Sequence, residues 1–168
     1  MTKFATHLWF DREARDDAEF YTSVFDGWDG KKSAIKSTTT LHDTPSGSVE
    51  LVSIELAGQP FSLISADPLF RFNPSLSFLV ACRSKKEVDA LWDKLSKSGT
   101  PRVPLGSYPF SERYGWIKDR FGLSWQIIPG MMEAVFRDKN RKKLAQVTQA
   151  FLKMKKFDIE ALRRAYVA

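Results

Sequence analysis

The chain opens with an alternation of apolar and polar positions that predicts a β-strand in KFATHLWF, residues 3–10. A helix is predicted next in REARDDAEFYTSVF, because its apolar residues recur at helical spacing and Gly27 follows the last of them. Three strand-like runs come after the helix, KKSAIKSTTTL, SVELVSIELAG and QPFSLISA, with the turn signals TPSG and AGQP between them. The predicted order is therefore strand, helix, strand, strand, strand.

Residues 76–130 repeat this order of elements. LSFLVAC is a predicted strand, KKEVDALWDKLSKSG a predicted helix, and TPRVPLG, YGWIKD and LSWQIIP are three further strands, the first of them weakly marked. The two segments also close on similar phrases, GQPFSLI and GLSWQII, which align Ser62 with Gln126. A shared phrase at the same place in two matching element orders indicates internal duplication. We therefore expect an α+β fold of two tandem βαβββ modules with mixed sheets (1–66 and 76–130), joined by a linker (67–75).

The segment after Gly130 changes to a helical period and predicts a C-terminal helical extension over residues 131–168. Its apolar stripe is formed by Leu144, Val147, Phe151 and Met154. Such a stripe must be buried, either on the domain formed by residues 1–130 or on a partner subunit. We expect a homodimer to which this stripe contributes packing area.

The net charge of +6 is concentrated in this extension, which holds ten Lys/Arg and four Asp/Glu, while residues 1–130 are balanced. A basic segment of this kind can attract nucleic acid or anionic lipid. We interpret it as the solvated face of the helices, since the preceding domain lacks the basic stripe with interleaved aromatic residues that binds single strands. An interaction module acting through the basic tail is therefore disfavoured, and nucleic acid is not an expected partner.

The composition is that of a chain with a packed core, at 43% hydrophobic and 13% aromatic residues. No apolar run approaches the roughly 20 residues that span a bilayer, so we expect no membrane partner. The first residues, MTKFATHLWFDRE, lack the apolar region of a signal peptide. The single cysteine, Cys82, ends an apolar strand and is expected to be buried and inert. These features favour a cytoplasmic protein.

Two motifs, LWFD with FY..VF early and GW.KD.FG.SWQI.P late, resemble those of the vicinal oxygen chelate superfamily of glyoxalases, bleomycin resistance proteins and extradiol dioxygenases. The chain looks most like the PhnB-like branch, often labelled demethylubiquinone methyltransferase-like, and the resemblance extends into LKMKKFDIEALRRAY. It implies that each module curls its sheet into a half-open cup with the helices outside. In enzymes of the superfamily, about four side chains from the first and last strands of the modules, typically His and Glu, hold a divalent metal in the cup.

Alternation along the first strand decides which of its side chains face the cup that the resemblance implies. The residues expected to face the helix are Phe4, Leu8 and Phe10, and those expected to face the cup are Ala5, His7 and Trp9. The first metal-ligand position of the superfamily falls on Ala5, which has no ligand atom.

The other metal-ligand positions implied by the resemblance fall on Ser62, Ser77 and Gln126. One neutral amide and two hydroxyls should not hold a divalent ion against water, so no metal is expected. No other cofactor is expected either, because the glycine-rich turn that binds nucleotide-type cofactors is missing, and a methyltransferase is therefore disfavoured. Gln126 must then find its hydrogen bonds elsewhere: on a bound molecule, or on the backbone or Ser62 inside a filled barrel.

These observations favour a metal-free small-molecule-binding protein whose ligand lies in a cup of aromatic and a few polar residues. The candidate lining residues are His7, Trp9, Ser62, Ser77, Trp116 and Gln126. In the alternative interpretation of the two tryptophans, they fill the barrel interior. The alternative function is a lyase, isomerase or dioxygenase-type enzyme that uses a metal or an acid/base built on His7. The ligand is not identified by the sequence, and no catalytic residue is assigned.

Overall fold

The computed structural model of the chain describes residues 4–11, 14–108 and 111–130, and beyond them residues 140, 142, 145–146, 148–149 and 164–165. The chain divides into two compact units, Met1–Phe72 and Asn73–Ala168. The first unit contains β1 (Thr6–Phe10), α1 (Ala14–Phe25), a 3₁₀ turn (Trp28–Gly30), β2 (Ala34–Thr44), β3 (Gly47–Leu56) and β4 (Gln59–Ser65). The second unit contains β5 (Phe78–Cys82), α2 (Lys85–Leu95), β6 (Thr100–Tyr108), β7 (Ser111–Lys118) and β8 (Ser124–Pro129).

Each unit is built on one four-stranded mixed sheet, and neither sheet is closed. The strand orders are β1-β4-β3-β2 and β5-β8-β7-β6. In both sheets the first and last strands of the unit are parallel neighbours, and the remaining pairs are antiparallel. The predicted α+β fold of two βαβββ modules is confirmed.

Helix α1 covers one face of the first sheet, where Ala18 and Tyr21 are buried. Strand β1 turns Leu8 and Phe10 to the same side, and these side chains are 3% and 5% exposed, as the alternation predicts. The prediction that Phe4 also faces the helix is wrong, since its side chain is 95% exposed. Phe4 precedes the first residue of β1, so no neighbouring strand fixes its orientation.

Helix α2 begins with a reciprocal cap. The Ser84 hydroxyl accepts a hydrogen bond from the Glu87 N–H at 3.2 Å, and the Glu87 carboxylate accepts one from the Arg83 N–H at 2.7 Å. These contacts satisfy backbone donors that the first turn of a helix otherwise leaves free. The buried face of the helix is formed by Val88, Leu91 and Leu95.

Strand β7 lies close beneath α2 because it has a glycine at the contact. A Cβ at Gly115 would overlap the ring of Trp92, so the indole packs directly on the strand backbone. The alternate residues of β7, including Tyr114 and Trp116, therefore point to the side of the sheet away from the helix. This second side carries the candidate site of the unit.

Three further sequence predictions concern Cys82, the C-terminal stripe and membrane spans. Cys82 is 1% exposed, so its predicted burial is confirmed. The predicted stripe of Leu144, Val147, Phe151 and Met154 lies outside the described residues. Within the described part of the chain, no helix has the length and apolar character needed to cross a membrane.

Candidate functional site

His7 and Ser62 are neighbours on the face of the first sheet opposite α1. They are register partners of the parallel pair β1 and β4, and His7 Nδ1 lies 3.1 Å from Ser62 Oγ. The His7 side chain is exposed, and no carboxylate among the described residues pairs with its ring. The Nε2 atom of His7 is thus the nitrogen that remains for another partner.

Trp9 follows on the same face of β1 and is held by the segment after β4. Its Nε1–H donates to the Asp67 carbonyl oxygen at 2.9 Å. The Phe70 ring packs against the indole nearly perpendicularly, with ring centroids 5.2 Å apart. Trp9 is half-buried, and Phe70 covers part of its ring.

Gln126, on β8, is held by side chains of both neighbouring segments of the second sheet. The Tyr114 hydroxyl donates to Gln126 Oε1 at 2.8 Å, and Gln126 Nε2 donates to Ser77 Oγ at 2.7 Å. The amide thus pairs with neither the backbone nor Ser62. Tyr114 was missed in the sequence analysis, although its position two residues before Trp116 on a predicted strand indicates the same face.

Burial raises the pKa of the Tyr114 phenol, and the charge of a nearby ionised Tyr108 would raise it further. The hydroxyl therefore stays protonated at neutral pH and remains a donor to the amide. Because Tyr114 is 7% exposed, this bond lies mostly out of contact with water. The result is an ordered chain of phenol, amide and hydroxyl across three segments of the sheet.

The nearest cross-strand neighbours of Gln126 are Leu79 on β5 and Trp116 on β7. The Leu79 side chain is 56% exposed, so this face is open beside the amide. The Trp116 Nε1 atom is buried and has no hydrogen-bond partner among the described residues. Of the predicted lining residues, the second unit brings Ser77, Trp116 and Gln126 together, and the first unit brings His7 near Ser62.

The turn between β7 and β8 is organised by the buried carboxylate of Asp119. Its Oδ1 accepts hydrogen bonds from the N–H groups of Phe121 and Leu123, each at 3.0 Å. Its Oδ2 accepts one from Trp125 Nε1–H at 2.7 Å. These contacts explain the spacing KDRFGLSW, and they fix the start of β8 immediately before Gln126.

The donor atoms at the four positions that the superfamily resemblance assigns to metal do not fit a divalent ion. Ala5 offers a methyl group, and the Ser62 hydroxyl is bonded to His7. Ser77 and Gln126 are bonded to each other. Within the described residues, no group of three or more His, Cys, Asp or Glu side chains could hold a metal. No chemistry routed through a metal follows from this set.

A separate polar cavity of about 340 Å³ lies in the first unit, at the end of β1 and β4. It is lined by Asp11, Ser46, Ser48, Ser65, Ala66 and Asp67. The Ser48 hydroxyl is 3.0 Å from His42 Nδ1, and both side chains are exposed. None of these residues was a candidate in the sequence analysis, because they come from three separate segments without a common motif.

The two βαβββ units have the fold of glyoxalase and fosfomycin resistance proteins of the vicinal oxygen chelate superfamily. A sequence profile described as 3-demethylubiquinone-9 3-methyltransferase matches residues 2–128, and the chain belongs to this PhnB-like family. The resemblance inferred from the motifs is confirmed. No curated protein sequence matches the chain.

Solved structures agree with this assignment. A PhnB protein from Bacillus cereus, named for the same methyltransferase, is 34% identical with a TM-score of 0.67, covering 76% of this chain and 99% of its own. A glyoxalase family protein from Bacillus cereus is similar in fold, at 11% identity and a TM-score of 0.53, over 77% of this chain and 93% of that one. The fosfomycin resistance protein FosX from Listeria monocytogenes, at 11% identity and a TM-score of 0.54, covers 79% and 97%.

Proposed function

We propose that the protein binds a small molecule without a metal, on sheet faces that carry His7, Trp9 and Ser62 in the first unit and Ser77, Trp116 and Gln126 in the second. The observation that carries this proposal is the pairing of Gln126 with Tyr114 and Ser77. An amide oriented by a phenol and a hydroxyl is suited to direct hydrogen bonding, because its remaining donor is held in a fixed direction.

The absence of charge on these polar groups argues for direct binding of an organic molecule. Divalent transition-metal ions are typically held by imidazoles and carboxylates, whereas Gln126 supplies one neutral oxygen that already accepts from Tyr114. Ligand sites commonly combine apolar walls with a few oriented polar groups, which is the combination of Leu79, Trp116 and Gln126 on the second sheet.

The test of metal-free binding is elemental analysis of protein purified without chelator. We expect no Zn, Ni, Mn or Fe in stoichiometric amount, and no increase in melting temperature when each of these ions is added. Gln126→Glu is the matched variant, since it restores a carboxylate at the position. It should still bind no metal, because Ala5 and Ser62 supply no charged ligand. About one metal ion per wild-type chain would contradict the proposal.

The second candidate is an enzyme that uses His7 as an acid or base, and the His7–Ser62 contact is the observation that favours it. The 3.1 Å distance is within the range of a base and a hydroxyl that act together. Incubation with a small-molecule extract followed by mass spectrometry separates the two functions. Products that form with wild-type protein and not with His7→Ala indicate an enzyme, whereas retention of an unchanged molecule indicates binding.

Methyl transfer, which the family description names, has less support from the observed fold than small-molecule binding has. S-adenosylmethionine is a nucleotide-type cofactor, and such cofactors are typically bound at a glycine-rich turn after a parallel strand. The segment after β1 begins with Asp11 and contains no glycine before α1. We expect S-adenosylmethionine to leave the melting temperature unchanged, and a clear increase would favour the methyltransferase.

We also propose that the protein acts as a homodimer in the cytoplasm. The apolar stripe predicted in residues 131–168 supports association, because an exposed stripe of that length is unfavourable in water. A single buried cysteine, Cys82, suits a reducing compartment.

A further inference from the structure

The side of the second sheet around Gln126 carries several polar groups with unused hydrogen-bonding capacity. We define the Gln126 face as Ser77, Leu79, Trp116, Lys118, Ser124 and Gln126. The register places these residues on one side, since Leu79 and Trp116 flank Gln126 and Lys118 lies opposite Ser124. The face therefore belongs wholly to the second unit.

Most of the unused hydrogen-bonding groups on this face are donors. Gln126 has two amide hydrogens, of which Ser77 accepts one, and Ser77 keeps its own O–H because it acts there as an acceptor. Trp116 Nε1 and Ser124 Oγ are buried without a hydrogen-bond partner among the described residues, and Ser124 is 1% exposed. Buried polar atoms without partners are uncommon in folded proteins. Both atoms are closed to solvent, so the donors that a bound acceptor can reach are those of Gln126 and Ser77, which are partly exposed.

The charge of this face is positive. Lys118 has no ion-pair partner among the described residues. Glu112, the acidic residue of β7, is bound to Lys85 of α2 at 3.2 Å and so does not neutralise Lys118. An anionic acceptor therefore complements the face better than a cation or a neutral donor does.

The apolar part of the face sets the size of the molecule. Leu79 and Trp116 lie on the two strands that flank Gln126, two strand spacings apart, or about 10 Å. That width accommodates one ring lying over the amide. Leu79 is 56% exposed, so its apolar surface is available for contact.

We propose that the Gln126 face binds a small carboxylate carried on an apolar body about one ring wide. The carboxylate accepts hydrogen bonds from Gln126 and Ser77 and is attracted by Lys118, while the ring lies between Leu79 and Trp116. This inference rests on the proposed metal-free binding function and goes beyond it by naming the chemical class of the ligand.

The test compares three probes that share one ring: benzoate, acetophenone and benzylamine. Binding is followed by NMR through the indole N–H signals of the five tryptophans and the side-chain amide of Gln126. We expect benzoate to shift the Trp116 indole and Gln126 amide signals at millimolar concentration. Acetophenone, a neutral acceptor, should bind more weakly, and benzylamine should cause no shift.

The variants separate the hydrogen bond from the charge. Gln126→Leu should lower the benzoate affinity about two- to tenfold, the loss of one hydrogen bond. Lys118→Met should lower benzoate affinity about two- to fivefold and leave acetophenone unchanged, since only the charge is removed. Gln59→Leu, on β4, and Lys97→Met, in the turn after α2, are the matched controls at exposed positions, and both should bind benzoate like the wild type.

Gln126→Leu also removes two hydrogen bonds within the protein, so urea unfolding must show that this variant still folds. Ser77→Ala is a second test of the hydrogen bonds to the carboxylate, and it removes only one bond within the protein. Benzylamine binding as tightly as benzoate would overturn the inference. So would an unchanged benzoate affinity in Ser77→Ala and Gln126→Leu, or the lack of any Trp116 shift with benzoate. These outcomes leave metal-free binding intact, whereas a stoichiometric metal in elemental analysis overturns the proposed function itself.

Discussion

Replacing Asp119 by Asn tests whether its buried carboxylate holds the β7–β8 turn. Asp119 is 2% exposed and accepts three hydrogen bonds from the protein. Asparagine keeps the shape of the side chain and one oxygen, which can still accept from the N–H groups of Phe121 and Leu123. The NH₂ group of the asparagine, however, faces Trp125 Nε1–H, and two donors cannot bond to each other. Trp125 Nε1–H therefore loses the acceptor that it has at 2.7 Å in the wild type.

The expected loss of stability follows from these three bonds. Removing the charged acceptor of Trp125 costs about 1.5–3 kcal/mol. The two remaining bonds become neutral and weaken, since charge-assisted bonds are roughly twice as strong as neutral ones. We therefore expect Asp119→Asn to lower the free energy of unfolding by about 3 kcal/mol. For a chain of this size, that corresponds to a melting temperature lower by roughly 6–12 °C.

The measurement is urea unfolding followed by circular dichroism. Asp29→Asn, at an exposed position in the 3₁₀ turn, is the control and should change the free energy by less than about 0.5 kcal/mol. Trp125→Phe completes a double-mutant cycle, in which we expect a coupling of about 1–3 kcal/mol with Asp119→Asn. An Asp119→Asn variant as stable as the wild type, or a coupling of zero, would refute this account of the turn.

The remaining predictions concern ionisation, the amide network and assembly. Burial, with a smaller contribution from the Glu87 carboxylate, raises the pKa of Cys82 from 9.0 to about 12, so the folded protein keeps a proton that the unfolded chain releases. The free energy of unfolding should therefore fall as pH rises from about 9 to 12, and Cys82→Ala should reduce this slope in urea titrations; an equal slope would contradict it. Tyr114→Phe should lower the free energy of unfolding by about 0.5–1.5 kcal/mol and shift the Gln126 side-chain NMR signals, whereas unchanged signals would disprove the contact. Light scattering should give twice the 19.2 kDa of one chain, and a monomer at micromolar concentration would rule out the dimer.

The element order was predictable because the signals that encode it are local. Turn residues such as Gly27 and the cap at Ser84 lie next to the elements that they end or begin. Alternation placed Leu8 and Phe10 in the core correctly, because one face of β1 is covered along its length. Phe4 was misplaced because it lies before the first paired residue of β1, where alternation carries no information.

The partners of Gln126 were not predictable from the same signals. Its bonds to Ser77 and Tyr114 depend on how three segments align side by side. The neighbouring pair β6 and β7 shifts register at three places, so residue spacing alone does not give the alignment in this sheet. The cover that Phe70 places on Trp9 likewise depends on the path of a segment without periodicity. The sequence indicated which residues share a face, and the fold was needed to show which of them touch.

The place of β8 in its sheet has a consequence for biosynthesis. Among the described strands of its unit, β8 is the last to leave the ribosome, yet it occupies an interior position between β5 and β7. Ser77 must wait for Gln126, 49 residues later, before their hydrogen bond can form. A nascent chain that stalls before Ser124 therefore exposes two unpaired strand edges, which are templates for aggregation.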